Sequence, residues 1–135
     1  MQWFNGTHII AVIDDPTREL RVRIECAPAD ASGTQIGEFE PFIASKAYYW
    51  KDVAEILAEA VRVASSAAAD AFLAEIDKDQ WAPGLDLTGM VLSQQAAVDI
   101  LAKAVNDAPH GLGLHAALRE ATFVLRELEE MEKAE

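Results

Sequence analysis

The sequence holds one cysteine, Cys26, so no disulfide can form within the chain. Such usage suits a reducing compartment, and the expected location is the cytoplasm. Basic residues are also scarce: 11 lysines and arginines stand against 23 aspartates and glutamates, a net charge of -12. Nucleic acid and anionic membrane are polyanions, and the imbalance argues against either as the main ligand. Large apolar runs are short, about five residues against the roughly 20 that a membrane-spanning helix needs. The first residues, Met1 to Ile13, show no basic stretch followed by a long apolar one, so no secretory leader is expected.

Signatures of cofactor and metal chemistry are sparse. There is no Gly-Lys-Ser/Thr phosphate loop. Gly111-Leu112-Gly113 lacks the third glycine of a dinucleotide loop and follows a helical pattern rather than a strand. His110 and His115 are five apart, which puts them about 140° apart on a helix, whereas a shared metal wants a spacing of four. Cys26 alternates with Leu20, Val22 and Ile24, so it reads as a buried, inert thiol rather than a nucleophile. Carboxylates are plentiful, but acid–base work needs a desolvated cleft that splits a pair. No enzyme activity and no cofactor are expected.

Hydrophobic residues make up 51% of the chain, so it can build a core, but 25 of its 135 residues are alanine. A closely spaced, helix-rich core follows. The expected fold class is α+β, one domain over 1–135, with a β part over 1–45 and a helical part over 46–135. Asp15-Pro16-Thr17-Arg18 has the residues of a type I turn. Folding the chain about it sets Ile13 opposite Leu20, Ala11 opposite Val22 and Ile9 opposite Ile24, all apolar and on one face. A third strand fits Thr34–Glu40, with Phe39 inward and Glu38 and Glu40 able to pair with Arg21 and Arg23.

Three helices follow. The first starts between Ser45 and Asp52 and runs to about Asp79. Val53, Leu57, Ala60, Ala64, Ala67, Ala71 and Ala74 alternate spacings of four and three, a heptad seam lined mostly by alanine. At 1.5 Å per residue this helix spans roughly 42 Å, against a globule diameter of about 35–40 Å. It therefore either breaks, with Ser65-Ser66 as the natural place, or projects and packs on a second copy; a homodimer through residues 50–79 is the favoured reading. Asp70, at the edge of the seam, reads as a solvated position. The second helix spans Ser93–Asp107 with Ser93 as its cap and Pro109 as its stop. The third spans Leu112–Met131 on the seam of Leu114, Leu118, Ala121, Leu125 and Leu128.

Two acidic groups sit where helix physics prefers lysine. Glu75, Asp77 and Asp79 end the first helix, and Glu127, Glu129 and Glu130 end the third. Tyr48-Tyr49-Trp50 is the densest aromatic cluster; it braces the sheet-to-helix junction or serves an interface. Together these residues are the candidate partner-binding set of a non-catalytic acidic protein, an inhibitor or regulator that docks on a basic protein surface. DNA-mimic inhibitors, immunity proteins and small phage or mobile-element regulators exemplify the class. The alternative is a dimer that binds a nucleotide or metabolite between subunits, with Arg21 and Arg23 gripping an anion beside Tyr48 and Trp50. The charge is spread evenly, -4 over 1–45, -3 over 46–80, -2 over 81–110 and -3 over 111–135, so it belongs to a folded surface rather than a tail.

Overall fold

In the computed structural model, which describes residues 1–19, 21–44, 49–76 and 86–134, an antiparallel sheet precedes a stack of helices. Strands β1 (Gln2–Phe4), β2 (His8–Asp14), β3 (Val22–Pro28) and β4 (Glu40–Pro41) lie in that order. A short 3-10 helix, Phe42–Ala44, leads towards α1 (Trp50–Val63), α2 (Ser66–Glu75), α3 (Leu87–Asp107) and α4 (Leu112–Ala134). The class is α+β, with four helices rather than three among the described residues and a fourth strand at the N-terminal edge.

The turn after β2 forms where its residues place it. The Arg18 N–H donates to the Asp15 carbonyl at 3.1 Å, and the Asp15 carboxylate accepts from the Thr17 N–H and hydroxyl. A second turn then follows, with Arg21 N–H donating to the Arg18 carbonyl and Arg21 at φ 59. The extra residues shift the pairing by three. Ile13 lies opposite Arg23, Ala11 opposite Glu25 and Ile9 opposite Ala27, in place of the expected partners. An odd shift exchanges the faces of one strand relative to the other. Ile10, Val12, Ile24 and Cys26 consequently face the helices, with Ile10 and Val12 fully buried.

The expected third strand is reduced to Glu40–Pro41 and an isolated bridge between Ala29 and Gln35. The intervening chain is claimed by Asp30, whose carboxylate accepts from the Ser32 N–H and hydroxyl and the Thr34 N–H. Those bonds hold the Asp30 carboxyl below the usual aspartate range. Arg21 and Arg23 pair with Asp14 (3.1 Å) and Glu25 (3.2 Å), not with Glu38 and Glu40.

The long alanine-rich helix is broken. Ala64 leaves helical geometry (φ -131, ψ -81), and Ser65 is extended and caps α2 by accepting from the Ala68 N–H at 3.2 Å. The seam stops with the break: Val53, Leu57 and Ala60 are buried, whereas Ala67 and Ala74 are exposed and α2 buries Ala68, Ala69 and Phe72 instead. The length argument for a dimer through residues 50–79 falls with the continuous helix. In α3 the cap is Asp86, accepting from Gly89 N–H at 2.7 Å, so the helix starts six residues before the expected Ser93. In α4 the inward face is Leu114, Ala117, Ala121, Leu125 and Leu128, and the helix continues to Ala134.

One hydrophobic cluster joins the sheet to all four helices. α1 covers the sheet, α3 packs on α1, and α4 packs on α3 and α2 as the outermost layer. α2 meets α4 closely. Asp70 lies against Gly113 in the first turn of α4, with one carboxylate oxygen buried and lacking a hydrogen bond, so its side chain is not at a solvated edge. A Cβ on Gly113 would overlap that carboxylate. Replacing a helical glycine by alanine ordinarily stabilises by about 0.5–1 kcal/mol. Here overpacking of about 1–3 kcal/mol reverses the sign. Urea unfolding of Gly113→Ala should show net destabilisation, and adding Asp70→Ala should recover most of it.

Candidate functional site

A cleft opens between β3 and α2, and three local events create it. β4 pairs only with Glu25 and Cys26 before the chain turns into the 3-10 helix. The break at Ser65 swings α2 towards the sheet, where Phe72 packs on Phe42 with ring centroids 5.8 Å apart. The double turn sets Arg18 and Glu19 at the mouth. The cleft measures about 420 Å³. Its apolar lining comes from Val22, Ile24, Pro41, Ile43, Ala68, Ala71 and Phe72, and its charged lining from Arg18, Arg23, Glu19, Glu25 and Glu75.

Backbone orientation adds a second feature. The Asp15 N–H donates to the Arg21 carbonyl, which fixes the odd-numbered residues of β3 as those facing β2. The backbone groups of Val22 and Ile24 point the other way, towards the cleft. Among the described residues no strand covers Val22, so the sheet edge is open there.

The charges divide unequally. Arg18 lies 3.4 Å from the Asp15 carboxylate and Arg23 lies 3.2 Å from that of Glu25. The Arg23 Nε hydrogen is buried and not aimed at an acceptor, so its pairing is ionic rather than a directed bond. Glu19 and Glu75 are exposed and have no ion pair among the described residues. Among the described residues the free charge on the rim is therefore negative. An acidic rim over an apolar floor suits a lysine or arginine, whose stem is apolar and whose head is cationic.

The other sequence-derived candidates scatter. Glu75 and Arg23 reach the cleft. Glu127, Glu129 and Glu130 are exposed near the end of α4. α4 touches α2 at Gly113, and Glu127 lies fourteen residues further on, about 21 Å along the axis. Trp50 is 7% exposed and belongs to the core, and Tyr49 is half-buried at the cap of α1. Arg21 is exposed and tied to Asp14. Tyr48, Asp77 and Asp79 lie outside the described residues. Arg18, Glu19, Ile43 and Phe72 were not legible as site residues, because only the turn and the helix break bring them together.

Two further groups are perturbed. Burial, with Glu40 nearby, pushes the Cys26 thiol up, which keeps it protonated. Asp52, in the first turn of α1, is 4% exposed. It accepts from the Asn5 amide at 3.1 Å and from the Tyr49 backbone N–H, tying the β1–β2 turn to the start of α1. Burial, reinforced by Glu55, outweighs these bonds and holds its carboxyl above the usual aspartate range. Among the described residues no helix is long and apolar enough to cross a membrane. Compared with known proteins, the chain matches no family model, no curated protein and no solved structure.

Because the folded protein holds the Asp52 proton more tightly than the unfolded chain, this group favours the fold at low pH. That contribution declines as pH rises from about 4, the unfolded aspartate value, through the raised folded value. Asp52→Asn keeps an acceptor for Asn5 and Tyr49 but cannot ionise. Urea unfolding across pH should show the stability of the variant gaining on the parent over that window and the difference levelling off above it.

Proposed function

We propose that this chain is a non-catalytic acidic interaction protein that regulates or inhibits a partner by docking on its basic surface. The observation that carries the reading is the β3–α2 cleft. Its two arginines already hold carboxylates, while the rim acids Glu19 and Glu75 are free among the described residues. The net charge of -12 steers a basic partner towards it. The open edge at Val22 offers backbone hydrogen bonds to an extended segment laid beside it. Inhibitors that imitate the charge of DNA and immunity proteins of phage or mobile elements are examples of the class.

The alternative, an anion-binding pocket built on Arg21, Arg23, Tyr48 and Trp50, has less support. Of its described members Arg23 alone lines the cleft, and its charge is offset by Glu25.

Isothermal titration with an arginine-rich peptide carrying a central leucine tests the reading. Affinity should fall steeply between about 0.05 and about 0.5 M salt. Glu19→Gln/Glu75→Gln should weaken binding about tenfold, as expected for two exposed charge pairs. Glu127→Gln/Glu129→Gln/Glu130→Gln should change it little. Equal losses from both sets, or no dependence on salt, would sink the cleft as the docking site.

A further inference from the structure

Between Leu112 and Arg126 the outward face of α4 differs in character from the acidic remainder of the described surface. Leu112, 78% exposed, and Phe123, 62% exposed, share it with Arg119 and Arg126. These four fall within about 60° of one another around the helix, directly opposite the buried seam. With His115, Leu118 and Thr122 they line a shallow groove of about 810 Å³. No carboxylate lines it, although the chain has 23 acidic residues. Neither arginine has an ion pair among the described residues. Arg119 and Arg126 are seven residues apart, about 10 Å along one stripe.

Nothing in the folding of one chain explains this stripe. α4 buries its other face on α3 and α2 and would do so with any polar residues outside. Two exposed apolar side chains flanked by arginines with no ion pair among the described residues mark a surface that is covered by something acidic and apolar. The same molecule carries that complement, in the β3–α2 cleft with its apolar floor and its acids Glu19 and Glu75, which have no ion pair among the described residues. The stripe faces solvent on the outermost layer, so it meets a cleft on another molecule.

We infer that a second copy of this chain is a partner of the cleft, docked head-to-tail through the Leu112–Arg126 stripe of α4. This rests on the reading of the cleft as a docking site for a basic surface and names one occupant of it. A symmetric pairing of two stripes would set arginine against arginine, and a symmetric pairing of two clefts would set acid against acid. Only the unlike pairing brings opposite charges together. It is heterologous, so it leaves a free stripe at one end and a free cleft at the other, and copies add until a ring closes or a filament grows.

Sedimentation velocity tests the inference directly. The average mass of the protein should rise with concentration to at least twice that of the monomer at low salt and return to monomer at high salt. Glu19→Gln/Glu75→Gln and Arg119→Gln/Arg126→Gln should each be monomeric alone, with unchanged circular dichroism. Mixed, they should form a 1:1 complex and nothing larger, because one keeps its stripe and the other its cleft. A parent protein that stays monomeric, or mixed variants that do not combine, would overturn the inference. So would either variant alone retaining a dimer. Titrating the arginine-rich peptide into Arg119→Gln/Arg126→Gln separates the two readings. Tight, salt-sensitive binding there keeps the cleft as a basic-surface site even if the chains do not associate.

Discussion

The break between α1 and α2 is the constraint from which most of this structure follows. Residues 50–75 as one helix would run about 39 Å, comparable with the whole diameter of a 135-residue globule. Ser65 ends that prospect locally by capping α2, but a cap contributes only about 1 kcal/mol. Burial of Phe72 against Phe42, with Ala68 and Ala69 beside it, contributes more, since one buried phenylalanine is worth about 1.5–3 kcal/mol. Packing therefore decides the break and the serine marks where it happens. Once α2 turns, Asp70 meets Gly113, α4 is held as the outer layer, and a cleft remains between α2 and the uncovered part of β3.

The sheet shows why a hairpin can be located correctly and paired wrongly. Asp15-Pro16-Thr17-Arg18 turns as its residues require, yet β2 reads Ile9-Ile10-Ala11-Val12-Ile13, apolar at every position. Alternation cannot choose a face for such a strand, because either set of residues can be buried. The choice is made by β3, which puts Arg23 and Glu25 on one side and Ile24 and Cys26 on the other. Matching the apolar set of β3 to Ile10 and Val12 requires a longer loop, and the second turn, with Arg21 at φ 59, supplies it. The second face is covered in part by the loop around Asp30, where Gly33 lies against the Phe4 ring; a Cβ added there would approach the ring to 3.4 Å.

Of the candidate site, the sequence made legible what depends on one element at a time. Glu75 stood out because a carboxylate at a helix C-terminus opposes the helix dipole, and Arg23 because an arginine can grip an anion. The inward seam of α4 was legible for the same reason: Leu114, Ala121, Leu125 and Leu128 recur at helical spacing. What depends on two elements was not. Asp70 looked like an edge residue, but it lies against Gly113, and Trp50 was open to bracing the sheet-to-helix junction or serving an interface until the fold buried it in the core. Phe72 gave no sign that it would form the wall of a cleft, since its partner Phe42 is thirty residues earlier. A single sequence records periodicity and caps, but the contacts between elements enter only with the fold.

The two faces of α4 separate what folding needs from what it does not. Inward, the small residues Ala117 and Ala121 let α3 come close enough for the Gln94 amide to donate to the Ala121 carbonyl at 2.9 Å, a buried bond that ties the two helices together. Changing any of these would cost stability, and their identity is explained by it. Outward, Leu112 and Phe123 leave apolar surface in water where lysine or glutamate would serve the monomer better. Arg119 and Arg126 likewise lie beside no carboxylate of the groove, in a chain where acids outnumber bases two to one. Self-repulsion at -12 disfavours contact between copies at most relative orientations. A stripe free of acids is the exception that lets one orientation through, and its apolar members supply the burial that charge alone, screened within about 8 Å at physiological salt, does not.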